Sequence, residues 1–353
     1  MVRPQQNQPD YHRTENPQTT VEECRKSRDY SFIDVRSPKE FFDGSLPNAV
    51  NLPLLDDAER ETVGIVYKRH GRDGAVERGY RILEPKLEGL KRRFSEISKD
   101  RTAIVYCARG GMRSQVVTSL MRSFGYRAKQ LKGGYKAFRR WNLDLLERFE
   151  FTELIVLHGQ TGVGKTLVLN RLPNSIDLEG IAGHRGSMFG GIGKCPATQK
   201  SFDSRLLDAL ENIDNTKPVF VEGESRKIGR VVIPNGIFRQ MGQASNILLK
   251  ASMHIRVQRT IKEYVTCQPT AIAEIRETIG RLKGDLGKKK VTDLLRLFDE
   301  RNYRECFRTI LDSYYDRKYS HGMKDLVCEK EIWADDLPAA VSEIVRHSLS
   351  KGD

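Results

Sequence analysis

The segment GQTGVGKT (159–166) constrains the fold more than any other part of the sequence. It fits the pattern G-x-x-x-x-G-K-[ST], follows an apolar run at 154–157 and precedes residues with helical spacing. Such a loop joins a strand to a helix and turns backbone amides toward a phosphate chain, while its threonine hydroxyl can ligate Mg²⁺. The sequence therefore predicts an α/β domain with a phosphate site. Its residues are Gly159, Gly162, Gly164, Lys165 and Thr166.

A second strand-to-helix loop is predicted around the cysteine of VYCARGGMRS (105–114). The apolar run 103–106 predicts a buried strand, and the spacing of apolar residues over 114–124 predicts a helix. Amides at a helix N-terminus, with arginines nearby, bind anions and favour a thiolate. A cysteine after a strand is more often a core residue, but these glycines and arginines favour chemistry. We predict Cys107 as the catalytic nucleophile, with an anion loop of Arg109, Gly110, Gly111 and Arg113.

Acidic and polar residues follow the phosphate-loop pattern along the chain. Residues 217–229 predict a buried strand that runs into two glutamates, where P-loop proteins hold magnesium or orient water. The glycine-rich segment 177–193 is predicted to be a loop without helix, and its polar residues favour substrate contact over a plain surface loop. The candidate substrate or metal residues are Asp177, Glu179, His184, Arg185, Ser187, Glu222, Glu224 and Arg226. None of them is a certain metal ligand.

Charge and composition restrict the compartment and the partners. The 353 residues carry a net charge of +13, which favours a polyanionic partner over a neutral one. The six cysteines show no CxxC spacing, which predicts a reducing cytoplasm and argues against structural zinc. We expect a cytoplasmic protein without a membrane partner, because the sequence shows neither a secretory signal nor an apolar run that could span a membrane.

The chain is predicted to divide near residue 150. The expected parts are a polar tail (1–13), a first α/β domain (14–142), a connecting helix or linker (143–152) and a second domain (153–353). Strands that alternate with helices predict parallel sheets. Residues 67–94 are expected to become helical, and 136–149 to form an amphipathic helix. From about 254 the chain is predicted to be helical and basic, with Arg256, Arg259 and Lys262 over phosphates or an RNA backbone.

Taken together, these motifs resemble a known family. Residues 31–54, the cysteine loop and LKGGYKAFRRW (131–141) resemble a rhodanese domain, and the second half resembles a P-loop domain of the kinase kind. This pairing, with DLEG (177–180), HRGSMFG (184–190) and VEGESRKIG (221–229), is similar to the tRNA 2-selenouridine synthases. The resemblance implies a rhodanese-like domain with a parallel sheet, followed by a P-loop kinase-like α/β domain with a helical, basic C-terminal part.

The resemblance also implies a two-step reaction on the wobble uridine of tRNA. Geranyl diphosphate, held by the phosphate loop with Mg²⁺, alkylates the 2-thio sulfur, and selenophosphate then delivers selenium as the S-geranyl group leaves. Cys107 would act in the selenium step, through a covalent adduct or by engaging selenophosphate, with Arg109 and Arg113 holding the anion. The implied partners are the tRNA anticodon arm, the two donors and the enzyme that produces selenophosphate.

Other functions stay open on the sequence. The spacing from Cys107 to Arg113 is C-x-x-x-x-x-R, one residue longer than in ordinary sulfurtransferases, and it resembles dual-specificity phosphatases of rhodanese fold. A sulfurtransferase or phosphatase fused to an ATP-dependent small-molecule kinase is therefore the alternative enzyme. An RNA-binding regulator is a weaker alternative, because Cys107, Lys165 and Thr166 are all present.

Overall fold

The computed structural model describes residues 16–25, 29–98, 100–267, 269–322 and 326–350. The polar tail predicted at 1–13 lies outside these residues. The chain separates into two compact units, with the division between Leu145 and Leu146. In the described residues, no helix is both long enough and apolar enough to cross a membrane.

The first unit is built on a parallel sheet of five strands in the order β1-β5-β4-β2-β3. The strands are β1 (Gln18–Thr19), β2 (Tyr30–Asp34), β3 (Val50–Asn51), β4 (Thr102–Tyr106) and β5 (Ala128–Leu131). Strand β4 is central and almost wholly buried, as its apolar sequence TAIVY predicts. Because the strands are parallel, their carboxyl ends meet at one edge, where Cys107 follows β4 directly.

The described residues of this part of the chain form six α-helices and one 3-10 turn, Glu84–Lys86. The α-helices are α1 (Val21–Arg25), α2 (Pro38–Asp43), α3 (Asp57–Leu83), α4 (Leu87–Ser98), α5 (Met112–Ser123) and α6 (Gly134–Arg148). The helical region expected within 67–94 begins earlier, because Asp56 and Glu59 form a capping box at the start of α3. Helix α3 is interrupted at Gly71, whose φ is 71°. Helix α6 is the amphipathic helix predicted at 136–149.

The second unit contains another parallel five-stranded sheet, in the order β12-β11-β6-β8-β7, and a small antiparallel pair β9-β10. The strands are β6 (Leu154–His158), β7 (Ser175–Ile176), β8 (Val219–Glu222), β9 (Lys227–Ile228), β10 (Val231–Val232), β11 (Ser245–Lys250) and β12 (Lys330–Trp333). Strands β6 and β8 are paired neighbours, so the phosphate loop and the glutamates reach the same edge.

Helices pack around this sheet, and those from α11 to α15 form a separate hydrophobic core. The helices are α7 (Lys165–Leu169), α8 (Leu178–Ala182), α9 (Gln199–Asn212), α10 (Asn235–Met241), α11 (Met253–Ile261), α12 (Ile272–Arg281), α13 (Lys283–Leu286), α14 (Lys288–Asp299), α15 (Tyr303–Ile310), α16 (Asp316–Gly322) and α17 (Leu337–Leu349). Two π-helical turns occur at Lys262–Thr266 and Leu311–Tyr315.

One local prediction for the second unit was wrong. The glycine-rich segment contains the short helix α8, because the Asp177 side chain accepts a hydrogen bond from the Gly180 amide and caps it. The prediction of a helical region after about 254 is confirmed, and this region also contains β12, which pairs with β11 at the edge of the sheet.

Candidate functional site

The cysteine loop of the first unit is held from behind by the Gly-Gly turn after β5. The backbone amides of Tyr135 and Lys136 donate hydrogen bonds to the carbonyl oxygens of Cys107 and Ala108, at 2.9 and 3.0 Å. Gly134 has a φ of 57°, and a Cβ atom there would overlap the Cys107 carbonyl oxygen. The motif at 131–141 therefore positions the backbone of the cysteine loop.

The Cys107 sulfur accepts hydrogen bonds from two donors. The Gly111 amide lies 3.3 Å from Sγ and the Ser114 hydroxyl lies 3.2 Å from it. Gln130 donates from Nε2 to Ser114 Oγ at 2.9 Å and to the Gly110 carbonyl oxygen at 2.8 Å. Ser114 accepts from Gln130, and its one proton has two acceptors within reach, the Cys107 sulfur and the Gly111 carbonyl oxygen at 3.0 Å. Two donors on one sulfur stabilise a thiolate and also a thiolate leaving group.

The two predicted arginines of this loop have different surroundings. Arg113 forms a two-point ion pair with Glu40, with nitrogen–oxygen distances of 2.6 and 3.2 Å. Burial opposes ionisation of Glu40, yet the hydrogen bonds from Arg113 hold the pKa of that carboxyl below its ordinary value. Arg109 is exposed, and its side chain has no ion-pair partner in the described ranges of the chain. Arg109 is thus the cation available to an incoming anion, while Arg113 is oriented by Glu40.

The phosphate-loop residues of the second unit lie where the pattern predicts, between β6 and α7. Gly159, Gly162 and Gly164 have φ values of 157°, 81° and 95°, and each would place a Cβ within about 3 Å of other atoms. Lys165 Nζ donates to the Gly159 carbonyl oxygen at 2.9 Å, so the lysine lies across the loop. Thr166 lies in the first turn of α7, and its hydroxyl donates to Glu179 Oε2 at 3.3 Å.

Arg256 and Arg259 lie against the phosphate loop, and both donate to its backbone carbonyl oxygens. Arg256 is 3% exposed, donates to the Thr161 carbonyl oxygen at 3.0 Å and pairs with Asp316 at 2.5 and 2.9 Å. Arg259 donates to the Val163 carbonyl oxygen at 2.6 Å. These arginines pack against loop carbonyls because buried carbonyl oxygens require donors. Lys262 alone of the three predicted cations is exposed.

A group of carboxylates lies beside the phosphate loop. Glu222 is 1% exposed; its Oε1 accepts from the Glu179 amide at 2.7 Å, and its Oε2 has no hydrogen-bond partner. Burial raises the pKa of Glu222 well above its ordinary value. Burial, followed by repulsion from Glu224, raises the pKa of Glu179 to about 8. At neutral pH the carboxyl groups of Glu179 and Glu222 therefore favour the protonated form, and a bound cation would replace the protons.

The same carboxylates offer few protein ligands for a magnesium ion. The described residues contain no group of three or more His, Cys, Asp or Glu side chains arranged to hold a metal ion. Mg²⁺, however, usually keeps several waters and takes only one or two protein oxygens. The Thr166 hydroxyl, the Glu179 carboxylate and the unpartnered oxygen of Glu222 fit that requirement.

Four further predicted residues each have different surroundings. His184 lies against glycines 190 and 229, and burial lowers its pKa. Arg185 pairs with Glu263 and lies over the Tyr264 ring. The Ser187 hydroxyl is buried beside tyrosines 264 and 315, toward the helical core. Arg226 is exposed beyond β8, and the structure does not place it with the carboxylates.

Several residues of these sites were missed from the sequence. Ser114, Gln130 and Glu40 complete the cysteine loop. His158 ends β6 beside the phosphate loop, bonds Asn246 at 2.9 Å, and burial lowers its pKa. Only Ser114 had a sequence signal, since it follows the loop arginine directly.

Comparison with known proteins matches both units. A model of the tRNA 2-selenouridine synthase AAA domain matches residues 152–351, and a model of the rhodanese-like domain matches 18–140. The chain is similar to the tRNA 2-selenouridine synthase of Hydrogenovibrio crunogenus, at 38% identity over 84% of this chain and 90% of the relative. It is also similar to that of Nitrosomonas europaea, at 36% identity over 77% and 74% of the two chains. A solved rhodanese-related protein from Thermoplasma volcanium covers 35% of this chain and 92% of its own, at 17% identity and a TM-score of 0.24.

Proposed function

Since the chain belongs to the tRNA 2-selenouridine synthase family, we propose that it converts 2-thiouridine in tRNA to 2-selenouridine in two steps at its two loops. The phosphate loop serves S-geranylation by geranyl diphosphate, and the cysteine loop serves selenium transfer from selenophosphate. The observation that carries the second assignment is the Cys107 sulfur with its two hydrogen-bond donors.

In the first step the 2-thio sulfur attacks C1 of geranyl diphosphate. The carbon–oxygen bond breaks, pyrophosphate leaves with the electron pair, and the base loses its N3 proton. Lys165 and the amides of the phosphate loop bind the diphosphate and stabilise the charge that grows on it. Thr166 and Glu179 would hold Mg²⁺, which neutralises pyrophosphate when it is bound.

In the second step the Cys107 thiolate attacks the phosphorus of selenophosphate. The phosphorus–selenium bond breaks, a proton is taken up, and hydrogen selenide is released beside a phosphocysteine. As the anion HSe⁻, it adds at C2 of the S-geranylated base, the carbon–sulfur bond breaks, geranyl thiolate leaves with the electron pair, and the proton on selenium moves to N3. Water then hydrolyses the phosphocysteine to phosphate and thiol. Ser114 donates to the sulfur when it attacks and again when it leaves.

The surroundings of the Cys107 sulfur support its attack on phosphorus. A C-x-x-x-x-x-R loop with a serine at the next position provides donors for an oxyanion and for the departing thiolate. Arg109 is exposed and meets the incoming anion. The surplus of 60 Lys and Arg over 47 Asp and Glu favours the tRNA partner, bound through phosphates and shape.

The test is nucleoside mass spectrometry of 2-thiouridine tRNA incubated with the protein, selenophosphate and geranyl diphosphate, with each donor omitted in turn. We expect selenouridine only with both donors, and S-geranyl-2-thiouridine when selenophosphate is absent. Unchanged tRNA that nevertheless binds the protein would overturn the proposal. ATP turnover without tRNA would then favour the fused small-molecule kinase.

A further inference from the structure

A cavity of about 500 Å³ lies in the first unit, next to the cysteine loop. Its walls are mainly apolar side chains of α3 and α5, together with the residues that precede α3. Representative lining residues are Leu55, Val63, Val76, Leu83, Met112 and Val116. This volume lies within the range of about 300–1,000 Å³ typical of small-molecule pockets.

The cavity and the thiol are parts of the same loop and helix. Met112 and Val116 line the cavity, while Gly111 and Ser114, which alternate with them along the chain, donate to the Cys107 sulfur. A ligand in the cavity therefore lies beside the predicted site of selenium transfer. All residues that line the cavity belong to the first unit.

The residues around the cavity suit a ligand that has both an apolar chain and an anionic part. Arg109 and Arg72 both line the cavity and are exposed, so they lie where it opens. Tyr67, which also lines it, is 60% exposed and offers a ring for a base. Apolar walls with cations and an aromatic ring at the opening suit an alkylated nucleotide of RNA.

We propose that this cavity binds the geranyl chain of S-geranyl-2-thiouridine during selenium transfer. The inference rests on the proposed function, in which the geranyl group is still attached to the base when selenium displaces it. Burying the chain fixes C2 of the base beside the cysteine loop and keeps geranyl thiol out of water as it leaves. Each buried CH₂ group strengthens binding roughly fourfold, so a ten-carbon chain supplies a large gain over a methyl group.

The test compares the binding of anticodon stem-loop RNAs that carry S-methyl-, S-butyl- or S-geranyl-2-thiouridine. Gly79 lines the cavity and a Cβ there would meet no atom within 4 Å, so Gly79→Phe is one filling variant. Val76→Phe is a second filling variant. The matched control is Gly89→Phe, at an exposed glycine of α4 that does not line the cavity.

We expect the unsubstituted protein and Gly89→Phe to bind the geranyl RNA at least about tenfold more tightly than the methyl RNA. Both filling variants should reduce this ratio to less than about threefold while the methyl RNA binds as before. An unchanged ratio in both folded filling variants, or no dependence on chain length in the unsubstituted protein, overturns the inference. If the unsubstituted protein also forms no selenouridine from geranyl RNA and selenophosphate, the proposed function itself has failed.

Discussion

Replacing Ser114 by alanine separates the chemical role of this hydroxyl from its structural role. The hydroxyl is fully buried and donates to the Cys107 sulfur over 3.2 Å. A hydrogen bond to a charged group contributes about 1.5–3 kcal/mol, which corresponds to roughly 10- to 150-fold in rate. We therefore expect Ser114→Ala to slow selenium transfer by a factor in that range.

The stability cost of the same substitution should be small. Gln130 Nε2 loses one acceptor but keeps the Gly110 carbonyl oxygen at 2.8 Å, so no buried donor is left without a partner. The loss should be about 1 kcal/mol, or a decrease in Tm of roughly 2–4 °C.

The assay is single-turnover selenation of RNA that already contains S-geranyl-2-thiouridine, which bypasses geranylation. Acid-quenched mass spectrometry of the protein should also show phosphate on Cys107 persisting longer in Ser114→Ala, because the leaving thiolate has lost a donor. The control is Ser119→Ala in the same helix, whose hydroxyl bonds Asn16 instead. Selenation within twofold of the unsubstituted rate in a folded Ser114→Ala protein would refute the role of this hydrogen bond.

The remaining predictions concern both loops. Cys107→Ser should abolish selenation while geranylation continues. Lys165→Ala should weaken geranylation, while RNA that already contains S-geranyl-2-thiouridine is still selenated. Nucleoside mass spectrometry checks both variants, and loss of the same single step in both would contradict two separate sites. Burial raises the pKa of Glu179 to about 8. The free energy of unfolding therefore falls as the pH rises from the pKa of Glu179 in the unfolded chain to about 8. In EDTA, Glu179→Gln should raise Tm relative to the unsubstituted protein more at pH 8.5 than at pH 5, and an equal difference at both would argue against this burial. Arg256→Met removes one side of a largely buried ion pair. It should lower the free energy of unfolding in urea by about 3 kcal/mol and slow geranylation. An unchanged unfolding free energy and an unchanged geranylation rate would show that this arginine does not hold the loop.

Local sequence patterns determined the elements around both loops. An apolar run, glycines at positions needing positive φ and the return of helical spacing are properties of adjacent residues. They predicted β4, the cysteine loop and α5, and likewise β6, the phosphate loop and α7. The charge surplus and the paired rhodanese and P-loop motifs also indicated the family before any contact was known.

The partners that position these loops were decided by the tertiary structure. Glu40 pairs with an arginine 73 residues away, and Arg256 bonds a loop carbonyl 95 residues away. Strand β12 and the cavity beside Cys107 likewise arise only when distant segments pack together. A buried polar group must find a partner, but any of many residues can provide one, and chain packing alone selects it. The sequence thus determined which loops carry the chemistry, and the fold decided which side chains hold them in place.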